Sequence, residues 1–132
     1  MSIAVEISLG EFLDKLTILE IKSERINDQE KLININTELS RLREIWSCSP
    51  YTDTTIDNEL DALRGINTRL WEIEDEIREK EARQEFDSRF VELARSVYFS
   101  NDKRAEIKRA LNIKLGSALH EEKSYSDYSN AS

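Results

Sequence analysis

Asn101, Arg104 and Lys108 stand three and four residues apart in the stretch FDSRFVELARSVYFSNDKRAEIKRALN. That spacing puts an amide, a guanidinium and an ammonium on one face of a helix. A guanidinium offers a planar fork to a carboxylate or phosphate, and an ammonium offers a compact point charge, so the trio suits an anion. The same stripe opens with Phe86, Phe90, Leu93 and Val97 at steps of four, three and four. An apolar seam therefore turns polar and cationic partway along.

A second group lies near the start of the chain, where Glu11, Asp14 and Lys15 fall on neighbouring helical turns beside an apolar face. Two carboxylates at that spacing could serve a metal ion or a proton transfer. They could equally be solvated intrahelical pairs worth a few tenths of a kcal/mol each. The all-helical nucleotide pyrophosphohydrolases need carboxylates where Ser8 and Leu9 stand, and the helical chorismate mutases need an acid where Thr17 stands. Neither family fits, and no Gly-rich phosphate loop or Ser-His-Asp set is present.

These groups must be positioned by helices, because one Pro and three Gly in 132 residues leave few places to end an element. Ser8 and Glu11 have capping-box spacing, and Phe12, Leu13, Leu16, Leu19, Ile21 and Ile26 then predict a helix over 9–27. Before it, Ile3, Val5 and Ile7 alternate with other residues and predict a short strand that a second chain would have to pair. Leu32, Ile35, Leu39, Leu42 and Trp46 form a heptad seam whose phase slips near Asn27. A break is expected there, with Asn27 and Glu30 as a second capping box. SCSPYTDTT is a loop.

Two long helices follow, over 56–81 and 86–115, each about 40 Å long or more at 1.5 Å per residue. Gly65 inside it is expected where another backbone comes close, and Gly116 is a left-handed C-cap. A short connection folds these helices into a long antiparallel hairpin with coiled-coil-like packing, and the two N-terminal helices lie along it. In that register Asn101 sits level with Asn67, another polar residue on an apolar stripe.

The polar seam then has three readings. Asn67 and Asn101 could bond to each other and set register. Arg104, Lys108 and Asn112 could mark where the helix leaves the core. Or Asn101, Arg104, Lys108 and Asn67 could line an anion-binding groove. Six cations between Arg95 and Lys114 (Arg95, Lys103, Arg104, Lys108, Arg109, Lys114) face only Asp102 and Glu106. An acidic block on the other long helix (Glu72, Glu74, Asp75, Glu76, Glu79, Glu81) is its mirror, so the two blocks could also meet between chains packed head to tail.

GEFLDKLTILEIKSERI, LWEIEDEIREKE, the 86–112 stretch and GSALHEEKSY together resemble a family of short uncharacterised proteins of bacteria and their phages, a domain of unknown function. The likeness covers about two thirds of the chain and brings no activity with it. It implies that FD, ARSVY, ND, the Arg104 and Lys108 pair and EEKSY belong to the family pattern. Glu121, Glu122 and Tyr125 thereby join Glu11, Asp14 and Lys15 as a second candidate cluster.

A net charge of -8 disfavours a broad grip on nucleic acid or anionic lipid. No run is long and apolar enough to span a membrane, and the N-terminus lacks a basic region ahead of its apolar residues, so a cytoplasmic chain is expected. A single Cys48 and a single His120 supply neither a disulfide nor a zinc site, and no metal or cofactor is expected. The reading is an all-α protein, one helical domain over 1–125 with a flexible tail over 126–132. It acts as a homo-oligomeric, non-catalytic assembly or adaptor module. The alternative is a small all-α enzyme or binder for an anionic metabolite.

Overall fold

The computed structural model describes residues 1–120 and 122. Four α-helices, α1 (Leu9–Arg25), α2 (Gln29–Ser47), α3 (Asp57–Ala82) and α4 (Ser88–Leu115), make up most of it. A single 3-10 turn, Pro50–Asp53, lies in the proline loop. No strand occurs among the described residues. The alternating segment 3–7 is irregular, with Ile3 90% and Val5 73% exposed, because no strand edge among the described residues takes up its backbone groups.

The helix ends follow local chemistry. The Ser8 hydroxyl accepts the Glu11 backbone N–H at 3.1 Å, as the capping spacing predicts. The reciprocal half of that box is replaced, since the Glu11 carboxylate accepts from Lys108. The α1–α2 break falls where the heptad phase slips, but the cap is Asp28 rather than Asn27, with Asp28 Oδ1 accepting from Lys31 N–H. α4 ends at Gly116 with φ of 67°.

α1 is the central element. It packs against α2, α3 and α4, and buries Leu13, Leu16, Leu19 and Ile21 along with Gly10, Asp14 and Thr17. α2 packs on α1, and Phe12, Trp46 and Tyr51 stack in series over that contact. The expectation that both N-terminal helices lie along the long pair thus holds for α1 alone. α2 carries one narrow apolar stripe, which α1 suffices to cover: Leu39 is its one buried residue.

Glycine use also differs from expectation. Gly65 is exposed, and a Cβ there would meet nothing within 4 Å. The close approach is at Gly10, where a Cβ would lie 2.4 Å from the Lys108 carbonyl oxygen and 2.9 Å from Asn112 Oδ1. The missing side chain lets the first turn of α1 sit directly on the α4 backbone.

Residues 83–87 join α3 to α4, and Gln84 adopts φ of 58°. Lys80, buried in the seam at this end, donates to Asp87 at 3.0 Å and Glu85 at 3.5 Å. Asp87 also caps α4 by accepting from Phe90 N–H. That backbone bond and the Lys80 ammonium hold the Asp87 carboxyl below its ordinary range, while Asp87 pushes Lys80 up. Arg89, one turn further, grips both oxygens of Glu76.

Three outcomes follow for stability. In urea unfolding, Gly65→Ala should add about 1 kcal/mol, the helix-propensity difference at an open site. Gly10→Ala should remove about 1 to 3 kcal/mol, because backbone cannot yield to the new methyl. An Asp87 carboxyl depressed in the folded state adds stability above its unfolded pKa of about 3.9, and that stability disappears as pH falls through the lower folded value. Acid titration of the melting temperature should therefore show a shallower loss below about pH 4 in Asp87→Asn than in the parent, with Glu59 and Glu76, also held low by Lys114 and Arg89, supplying the remainder.

Candidate functional site

α1 and α4 run antiparallel, and four polar contacts in sequence order tie α1 to α4 and the turn that follows it. Ser117 Oγ accepts from Leu9 N–H at 3.2 Å, and Asn112 Oδ1 accepts from Gly10 N–H at 2.6 Å. Lys108 Nζ donates to Glu11 at 2.5 Å. Arg104 donates through Nε to Asp14 Oδ1 at 2.8 Å and through Nη2 to Asp14 Oδ2. The first two contacts satisfy backbone N–H groups in the first turn of α1, which a helix leaves without intrahelical partners. The other two join an acid pair spaced three apart to a cation pair spaced four apart. Those spacings match when antiparallel helices present facing stripes.

Asp14 is 1% exposed and sits where three helices meet. Its Oδ1 also accepts from Asn67 Nδ2 of α3 at 2.9 Å. Thr17 Oγ1 takes a second Asn67 bond at 3.0 Å and donates to the Asp14 carbonyl at 2.9 Å. A carboxylate engaged by a guanidinium fork and an amide is held as a structural anion. Such a network, once closed, fixes the relative placement of its helices.

The two candidate groups of the sequence are thus largely one array, with Glu11 and Asp14 facing Lys108 and Arg104. Lys15 points elsewhere, to Glu38 of α2 at 3.8 Å on the surface. Asn67 is part of the array, but the expected pairing with Asn101 is replaced: its amide turns to α1, where a buried carboxylate is the stronger acceptor. Asn101 stays half-buried beside Arg104, on the wall of a groove of about 620 Å³ between α1, α3 and α4. Glu122 pairs with Arg109 at 3.2 Å. Glu121 and Tyr125, like the 126–132 tail, lie outside the described residues.

Five of the six cations of the block pair with carboxylates among the described residues. Lys114 meets Glu59 of α3 and Lys103 meets Glu106. Arg95 lies over the Phe99 ring at 5.8 Å and donates to the Tyr98 hydroxyl. The acidic block is partly answered too, Glu72 by Arg25 and Glu76 by Arg89. Gly10, Thr17 and Ser117 were not singled out as site residues by sequence reasoning. A glycine two residues after an N-cap serine was the available signal for Gly10. Nothing local marks Thr17 or Ser117.

Among the described residues no group of three or more His, Cys, Asp or Glu could hold a metal ion, and no helix is long and apolar enough to cross a membrane. In equilibrium unfolding, Asp14→Ala should cost about 3 to 5 kcal/mol, because it takes the carboxylate from a partly buried guanidinium and one of two acceptors from a buried amide. Joint replacement of Asp14 by Leu, Arg104 by Met and Asn67 by Leu should recover most of that loss. Losses that simply add would show that the three do not form one network.

No curated protein and no solved structure matches the chain. Residues 3–131 match the sequence profile of DUF6165, a family of unknown function, and the chain belongs to that family.

Proposed function

We propose that the chain is a non-catalytic helical assembly module, an adaptor that works as a homo-oligomer. In this reading residues 1–125 are one helical domain, α3 and α4 are its coiled-coil-like antiparallel hairpin, and it resides in the cytoplasm. The supporting observation is that both seam cations are taken up by carboxylates of α1, Arg104 by Asp14 and Lys108 by Glu11. An anion binder would instead aim them at an open cavity. The ARSVY and ND stretches stand just ahead of Arg104 on α4, which fits a family pattern set by helix assembly in short bacterial and phage proteins.

The intrachain pairing changes how copies would meet. With its cations occupied, the 95–114 block is a weak partner for the acidic block of another chain. Apolar surface is the better candidate: Phe86 in the α3–α4 connection, Val91 on α4, Ile33 and Ile45 on α2, each more than half exposed. One observation favours the alternative, a small all-α enzyme or binder for an anionic metabolite: Asn101 and Arg104 both line the 620 Å³ groove.

Sedimentation at micromolar concentration should give an oligomer, and a stable monomer would overturn the self-association. A thermal-shift series with nucleotides, sugar phosphates and dicarboxylates, with and without magnesium, should leave the melting temperature unchanged. A saturable rise that Arg104→Lys removes would establish the anion binder in place of the module.

A further inference from the structure

The groove beside the polar array has a chemistry of its own. It runs along α3 from Asn67 to Arg78, about 16 Å or three helical turns, with Ile18 and Ile21 of α1 on one side. Leu70 and Trp71 are half-buried along it, while Glu74 and Asp75 are exposed on its rim. α1 ends at Arg25, which meets Glu72, and α3 continues for about ten residues beyond that contact.

The charges at the groove are not balanced. Arg104 is occupied by Asp14, and Arg78 pairs with Glu74 at 3.6 Å on the surface. Among the ion pairs of the described residues none involves Asp75. Trp71 and Asp75 are four apart on one helix, so an indole and a carboxylate share the same face. An indole face attracts a cation, and the neighbouring carboxylate supplies its hydrogen-bond acceptor. The apolar side chains alongside are suited to the methylene stem of a lysine or arginine. A protein of net charge -8 adds long-range attraction for a basic partner.

We infer that this groove is the docking site for a basic amphipathic helix of a partner protein, with a lysine or arginine seated between Trp71 and Asp75. The partner's apolar residues pack on Ile18, Ile21 and Leu70, as an amphipathic helix lies in a hydrophobic groove. The inference rests on the reading of the chain as an adaptor and names the chemistry of what it adapts to.

Trp71 is its own reporter, because Trp46 is the one other tryptophan. In Trp46→Phe protein with an intact circular-dichroism spectrum, titration with a 14-residue leucine–lysine helical peptide should move Trp71 emission to the blue and saturate. A leucine–glutamate peptide of the same pattern should leave it unchanged. Asp75→Lys should weaken binding about tenfold or more. Glu44→Lys, which makes the same charge change on the exposed surface of α2, should alter it by less than about twofold.

Equal weakening by both variants would reduce the effect to net charge and overturn the site, as would saturating binding with no change in Trp71 emission. A blue shift that grows with protein concentration alone, and that Asp75→Lys abolishes, would give the groove to a second copy and overturn the foreign partner. Sedimentation of the same sample separates the two proposals. A monomer that binds the peptide keeps the groove and removes the self-association, whereas an oligomer indifferent to the peptide does the reverse.

Discussion

The buried carboxylate of Asp14 is the constraint around which the fold is arranged. An anion so far from solvent is tolerable only if its oxygens are bonded, and the bonds come from different helices: a guanidinium on α4 and an amide on α3. Any relative slide of α1, α3 or α4 would strand one of these groups. The apolar residues of the same helices, Leu13, Leu16, Leu63, Ile107 and Leu111, supply the larger driving force for association. They are far less selective about register, since Leu against Leu tolerates displacement better than a forked ion pair does.

The close contact of α1 with α4 extends this logic to the backbone. Gly10 lets the two main chains approach until Asn112 can reach the Gly10 N–H, and Ser117 takes up the neighbouring one. The start of α1 is thus capped twice, locally by Ser8 and across the interface by α4. Glu11 gives up the local capping role for Lys108 because a buried ammonium needs a counter-charge more than a neutral backbone N–H does.

This bookkeeping of charge also shapes the outside of the molecule. Pairing within the chain gives five of the six cations of the 95–114 block a carboxylate, and Asp75, which has no ion pair among the described residues, lies on the part of α3 beyond the reach of α1. There the protein narrows to the α3–α4 pair, with Ile73, Leu93 and the pinned Lys80 as its buried residues. Apolar surface next to acid surface is therefore found along α3 and α4 rather than around α1.

Helix existence, the α1–α2 break, the caps at Ser8 and Gly116 and the all-α class were legible in the sequence, because each depends on residues within a few positions of one another. So was the fact that the α4 stripe turns polar at Asn101, Arg104 and Lys108. What the stripe faces was not legible. The carboxylates of α1 that Arg104 and Lys108 meet are about ninety or more positions away, and no local pattern distinguishes a carboxylate across an interface from one in solution. The same limit misplaced the close approach at Gly65 instead of Gly10, and paired Asn67 with Asn101 when a buried acid on a third helix was the better acceptor. Local propensity and periodicity determined the elements. Only the packing of three helices at one point decided which polar groups would have to satisfy one another, because hydrogen bonding in a low-dielectric interior depends on distance in space and not on separation along the chain.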